Sequence, residues 1–274
     1  GILPPLTSAE ALEIAAIRSA SGQPATRLQR APFLSCHAST SPAGLLGGGQ
    51  PPRPGNISLA HHGVLMMDEL TEFRRTVIES LREPLETGRI TLSRGPYSET
   101  FPARFLLVAT MNPCPCGNLG DPARACRCTP AQIRRYQARL SGPLLERFDL
   151  GIEMMREPTK DVPAAPAPES SATVARRVQA ARQRQLTRQA CTNGHLPVGR
   201  FDDCLALQPD ARALLTQAAD RFGWSWRSQH RVLRVARTVA DLADSATVTP
   251  AHLAEAMALR RPLDHLVSAE ANPA

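Results

Sequence analysis

The 274 residues supply enough chain for one large or two modest cores, and no apolar run among them is long enough to span a bilayer. The formal net charge of +7 comes almost wholly from arginine, Lys160 being the sole lysine; with Ala and Pro also abundant, this points to a GC-rich coding bias, so charge alone does not argue for nucleic acid. Seven cysteines in a chain this long, four of them packed into two C-x-C pairs, exclude a small secreted disulfide framework and point to a reducing, cytoplasmic setting.

The chain opens Gly1-Ile2-Leu3-Pro4-Pro5 with no initiator Met and no basic lead-in, so no signal peptide is read and a piece of a longer gene is expected. Thr7 to Ala20 reads as a helix, with Thr7 and Glu10 spaced to cap it and Leu12, Ala15, Ala16 and Ser19 as its apolar stripe. Residues 21–55 are rich in Pro, Gly and Ser, and hold one short strand candidate, Phe33 to His37. Next comes Gly63-Val64-Leu65-Met66-Met67-Asp68-Glu69. Four apolar residues suit a strand buried on both faces. The two carboxylates at its end would point into the crevice where α/β proteins bind ligands. Asp68 could hold a water-shelled Mg²⁺ and Glu69 could polarise a water for attack on a phosphate, which is the logic of a Walker B motif. A solvated acidic turn is the plainer alternative.

Phe73, Val77, Leu81 and Leu85 recur every fourth residue and predict a helix over 72–86, stopped by Gly88. Residues 89–93 and 99–104 flank Gly95-Pro96 as a hairpin. Phe105 to Met111 predicts a second buried strand, ending at Asn112, whose amide could touch the same ligand as the acids or simply form a turn. Cys114, Cys116, Cys126 and Cys128 can close a tetrahedral Zn²⁺ site, although C-x-C is tighter than the usual C-x-x-C and a metal-free cluster is the alternative. A helix is expected over 130–140, then Glu146-Arg147-Phe148-Asp149-Leu150 and a strand over Leu150–Met154. Arg147 could be a structural ion-pair partner or a finger reaching a neighbour's phosphates. A Pro/Ala-rich linker spans 158–171. Beyond it the pattern is helical. Residues 173–189 carry Arg176, Arg177, Arg182, Arg184 and Arg188, by default a solvated face and otherwise a contact for nucleic acid or a neighbouring subunit. Further helices are read over 209–222, over 225–242 with Leu233, Ala236, Val239, Ala240 and Ala243 inward, and from Thr249-Pro250 to about Arg260.

Taken together, acidic strand, helix, hairpin, strand ending in Asn, ERFDL, linker and helical bundle resemble the ComM/YifB family of magnesium-chelatase-like AAA+ ATPases. The carrying segments are Pro54 to Leu65, Leu81 to Glu86, Phe101 to Cys116, Leu140 to Leu145 and His230 to Thr238, spread over nearly the whole chain. The resemblance implies an α/β fold: an AAA+ core of the P-loop NTPase type over 1–157, truncated before its P-loop, a linker over 158–171, and an all-α lid over 172–274. It implies Asp68 and Glu69 as the Walker B pair, Asn112 as sensor 1, Arg147 as an arginine finger acting in trans, and Arg227 as sensor 2. The hairpin over 89–104 would face a central pore. ATP and Mg²⁺ are the implied cofactors, and a homo-oligomer, a hexamer when intact, the implied assembly. DNA branch migration during natural transformation is the implied activity, with no membrane partner. Three departures stand against this pattern. Residues 30–39 differ from the family's usual paired-histidine run, Thr71 stands where a Pro is usual, and the Lon-like domain and P-loop expected upstream of Gly1 are not in this sequence. The rival implied functions are a magnesium-chelatase motor acting on a protein partner, and a non-catalytic oligomerisation or zinc-binding module.

Overall fold

Three parallel strands run through the centre of the N-terminal half. The computed structural model describes residues 1–24, 30–154 and 168–271, and the chain divides into two compact units, one built on Pro5–Arg147 and one on Phe148–Ser268.

The first unit opens with α1 (Ser8–Ala20), capped reciprocally by the Thr7 hydroxyl and the Glu10 carboxylate. It buries Ala11, Ile14 and Ile17. Leu12 is left 66% exposed, so the expected inward stripe is corrected by one face: two isoleucines hide more apolar area than a leucine among alanines. After β1 (Phe33–Cys36) come α2 (Pro42–Leu46), the small hairpin β2 (Gly47–Gly48) and β3 (Arg53–Pro54), and α3 (Asn56–Leu59). Then β4 (Val64–Met67) lies in the middle of the sheet. Its parallel neighbours are β1, with Phe33 opposite Val64, and β7 (Leu106–Ala109), with Val64 opposite Leu106. Gly63 leads into β4 where the Pro32 carbonyl accepts the Val64 N–H; a Cβ on Gly63 would lie 2.0 Å from that oxygen, so only glycine fits.

The single helix expected over 72–86 is instead a 3₁₀ turn (Leu70–Glu72), α4 (Arg75–Ser80) and α5 (Arg82–Thr87). Pro84 explains the break: it offers no N–H to the Ser80 carbonyl one turn back. The buried pattern survives, with Phe73, Val77, Ile78 and Leu81 all fully buried. Gly88, at φ +66°, ends α5 by donating to the Pro84 carbonyl. Strands β5 (Arg89–Arg94) and β6 (Tyr97–Pro102) pair antiparallel around Gly95-Pro96. One expectation fails at β7: Leu106 and Val108 are 55% and 39% exposed, because β7 is an edge strand of the described sheet and its face is only partly covered. The unit closes with α6 (Pro130–Gln137) and α7 (Gly142–Leu145).

The second unit begins with a correction. Leu150–Met154 forms no strand; among the described residues none pairs with it, and Leu150, Ile152 and Met154 are exposed. Gly151 instead donates to the Leu259 carbonyl. Most of the expected linker falls on residues 158–167, outside the described residues. The helices are α8 (Ser171–Gln189), α9 (Phe201–Leu205), α10 (Pro209–Phe222), α11 (Trp226–Leu242) and α12 (Pro250–Ala271). Their core gathers Leu196, Phe201, Leu205, Leu215, Val232, Ala236, Val248 and Leu253. On α11 Leu233, Ala236 and Ala240 point inward as expected, but Val239 is half-buried, Ala243 is exposed, and Arg237 and Asp241 are buried instead. Helix α12 continues past the expected end at Arg260 because Arg260 and Leu263 are themselves buried there. Among the described residues no helix is long and apolar enough to cross a membrane.

Candidate functional site

Strand β4 delivers Asp68 and Glu69 to the carboxyl edge of the sheet, both exposed. The parallel register sets Met67 beside Ala109, so Thr110 stands level with Asp68. Thr110 then holds the acidic turn with three groups. Its hydroxyl donates to Asp68 Oδ1 and accepts the Glu69 N–H at 3.0 Å, its carbonyl accepts the Leu70 N–H at 2.8 Å, and its N–H donates to the Met67 carbonyl at 3.1 Å. Glu69 sits in the left-handed region (φ 53°, ψ 55°), a conformation that costs a non-glycine residue on the order of 1 kcal/mol and is kept only where surrounding bonds enforce it. The outcome is two carboxylates held by one strand end and open to solvent, an arrangement able to take a hydrated divalent cation. Thr110 went unnoticed in the sequence, where a hydroxyl at the end of an apolar run carries no distinctive signal.

Asn112 lies two residues beyond Thr110 at the same edge of the sheet, exposed, its Oδ1 within 3.9 Å of where a Cβ on Gly117 of the cysteine loop would stand. Arg147 is elsewhere in its bonding. Its guanidinium donates to the Arg82 carbonyl at 3.0 Å and to the Pro143 carbonyl, and pairs with Glu86 at 3.4 Å; none of these three partners belongs to the acidic turn. Arg227 belongs to the second unit, exposed on the first turn of α11.

The four cysteines of the loop do come together. Their sulfurs all lie within 4.8 Å of one another. Cys114 is 3.4 Å from Cys116 and 3.7 Å from Cys126, and Cys116 is 3.6 Å from Cys126. Backbone N–H groups of Arg127 and Asn118 hold the Cys116 thiol down to about 6. Desolvation and the crowd of neighbouring sulfurs push Cys128 up to about 12. At Cys126 the Cys128 N–H pulls the thiol down, but desolvation and the other sulfurs outweigh it and the thiol is raised. The Cys116 sulfur is thus the readiest to ionise, and Cys126 and Cys128 resist.

A second cluster joins Glu13 of α1 to His61 and His62, ahead of β4. The Arg104 N–H donates to His61 Nδ1 at 2.9 Å, so Nε2 carries the ring proton and donates to Glu13 at 2.9 Å; His62 Nε2 reaches the same oxygen at 2.7 Å. A nitrogen that already donates cannot ligate a metal, so this cluster is a hydrogen-bonded tie from α1 to the start of β4. Burial lowers His61 and the two histidines lower Glu13, as expected of a neutral imidazole donating to a carboxylate.

Comparison with known proteins adds family. The model for magnesium chelatase, subunit ChlI, matches residues 1–162, and that for the ChlI C-terminal region matches 168–260. YifB of Escherichia coli strain K12 is 45% identical over 263 residues, 95% of this chain and 52% of its own. YifB of Salmonella typhimurium gives the same identity and coverage. The competence protein ComM of Haemophilus influenzae is 42% identical over 264 residues, 95% of this chain and 51% of its own. The chain thus spans about half the length of the curated relatives it matches.

Proposed function

Because this chain belongs to the magnesium-chelatase-like ComM/YifB family, we propose that it is the Walker B-to-lid part of an AAA+ ATPase that couples ATP hydrolysis to movement on DNA, in the manner of branch migration during natural transformation. The observation that carries this reading is the acidic turn at the sheet's carboxyl edge, with Asp68 and Glu69 locked by Thr110. Asp68 would hold the Mg²⁺ of Mg-ATP through water, and Glu69 would polarise the attacking water. Asn112, at the same edge, would orient that water. Arg227 would act as sensor 2, and Arg147 as a finger to a neighbouring subunit's nucleotide once released from the Arg82 and Pro143 carbonyls. The β5–β6 hairpin, with Arg94 and Tyr97 at its tip and a Thr91–Thr100 and Ser93–Ser98 hydroxyl ladder, suits contact with a phosphate backbone. The proposed assembly is a cytoplasmic homo-hexamer, with a core over 1–157, a linker over 158–171 and a lid over 172–274. ATP and Mg²⁺ serve the nucleotide site, and Zn²⁺ the cysteine cluster.

The nucleotide cradle itself lies outside the present sequence in this reading. A P-loop needs G-x-x-x-x-G-K-[ST], and the only lysine, Lys160, stands in Pro158-Thr159-Lys160-Asp161 with no glycine beside it. A specific expectation follows for the 274 residues alone: titration calorimetry with Mg-ATP shows no micromolar binding. In a protein of the relatives' full length, Glu69→Gln leaves ATP binding intact and cuts hydrolysis by roughly 10²-fold or more, while Asp68→Asn weakens the dependence on Mg²⁺. Equal, mild effects of both substitutions would remove these acids from the phosphate. A second reading, a non-catalytic module for assembly or zinc binding, draws on the four clustered cysteines; a protein of the relatives' full length that hydrolyses ATP sets it aside.

A further inference from the structure

Residues 113–129 have little to fold around. They form neither helix nor strand, and Cys114 is their only buried side chain. Their ends are nevertheless fixed: four sulfurs from two distant turns meet at one point. We propose that Cys114, Cys116, Cys126 and Cys128 bind one Zn²⁺ as four thiolates, and that this ion clamps the loop after Asn112 to the start of α6.

The geometry supports the ion directly. A tetrahedron of sulfurs about 2.3 Å from a central zinc has edges of about 3.8 Å. The sulfur separations of 3.4, 3.6 and 3.7 Å are close to that edge. They are too long for a disulfide, whose sulfurs sit about 2.05 Å apart. The Cys128 N–H points at the Cys126 sulfur at 3.5 Å, and those of Arg127 and Asn118 at the Cys116 sulfur. Backbone N–H groups aimed at sulfur stabilise the negative charge that four thiolates bring to one dication. On binding, each thiol gives its proton to solvent; no electrons move, so no oxidant or reductant is required.

The clamp follows from what the two ends of the loop touch. Cys114 lies two residues after Asn112, and a Cβ placed on Gly117, inside the loop, would lie 3.9 Å from the Asn112 amide oxygen. Cys128 precedes Thr129, which caps α6. Helix α6 is tied back to the segment after Glu69: the Thr71 hydroxyl donates to Tyr136 at 2.5 Å, and Arg139 donates to the Phe73 carbonyl at 3.3 Å. Gln137 also reaches the Pro113 carbonyl at 3.1 Å. The zinc therefore closes a circuit that runs from the Asn112 strand end through α6 to the acidic turn. The value of that circuit to catalysis rests on the proposed nucleotide site; the metal and the clamp do not.

The test uses the 274-residue chain, purified under reducing conditions without chelator. Metal analysis should find close to one zinc per chain, and replacement by Co²⁺ should give the sulfur-to-metal charge-transfer and intense visible bands of a tetrahedral thiolate site. Cys116→Ser and Cys128→Ser should each lose most of the zinc. Removing the metal from the wild-type chain should speed amide hydrogen exchange over 111–129 and leave α8, α10 and α11 unchanged. Absence of zinc together with four thiols that react freely, or iron in its place, overturns the site. Zinc present with exchange over 111–113 unaffected by its removal overturns the clamp. Neither result depends on ATP hydrolysis, so either can fail while the ATPase reading stands.

Discussion

A single hydroxyl, that of Thr110, serves both acids of the turn, donating to Asp68 and accepting the Glu69 N–H. Valine at 110 keeps the shape of threonine but can do neither. Glu69 would then hold its left-handed backbone with one tie fewer. Thr110→Val is expected to destabilise the chain by about 0.5–1.5 kcal/mol, the usual net worth of a hydrogen bond whose partners water can reach, and Thr110→Ser to recover most of it. Denaturant midpoints of the three proteins check this; an unshifted midpoint for valine would show that the hydroxyl holds nothing. The place of Asp68 and Glu69 at the end of a buried strand was legible in the sequence, because an unbroken apolar run leads straight into them. Thr110 was not, since its meaning arises only from the parallel register that sets β7 beside β4.

Helices differ in how well their insides can be read. The period of α11 correctly placed Leu233, Ala236 and Ala240 in the core, yet it could not reveal that Arg237 and Asp241 are buried with them. Asp241 accepts from Arg188 at 2.7 and 3.0 Å and from Asn193 at 2.8 Å, and pairs with Arg237 at 3.1 Å. Arg188 sits far back in the chain on α8, where it reads as one more solvated charge. A pair so distant in sequence leaves no local trace. Burial alone would raise the Asp241 carboxyl, but Arg188, Asn193 and Arg237 outweigh it and hold it below the usual range. A carboxyl lowered on folding contributes stability that is full above its unfolded value near 3.8 and is lost as pH falls through the lower folded value. Asp241→Ala would leave the Arg237 guanidinium buried beside Arg188 with no carboxylate. The expected loss at neutral pH is about 3–5 kcal/mol, and the variant should also lose part of the wild type's acid-induced destabilisation below about pH 4. Thermal unfolding at two pH values measures both.

At the scale of the whole chain, the division into a mixed α/β half and a helical half was legible, as were the β4 strand, the hairpin and most helices of the second half. Residues 150–154 were not. Their apolar pattern suits a strand, but a strand exists only where a neighbour supplies its hydrogen bonds, and no local pattern reports that. The break at Leu81 is hidden for a different reason: Pro84 falls within a strong four-residue apolar period that masks its missing N–H. The cysteine loop is the reverse case. Its spacing identified which residues meet, while the backbone N–H groups that steady the sulfurs emerged only in three dimensions.

The open flank of β7 has a consequence for how the isolated chain behaves in bulk. Leu106 and Val108 are exposed on β7, an edge strand of the described sheet with no described neighbour on its outer side. Such a flank is a template on which another chain can lay a strand. Self-association that starts by two flanks meeting is second order, so doubling the protein concentration should quadruple the initial rise in light scattering. A charge at the tip of the contact, as in Val108→Lys, should flatten that rise while leaving the far-ultraviolet circular dichroism of the chain unchanged; equal scattering from both proteins would place the sticky surface elsewhere.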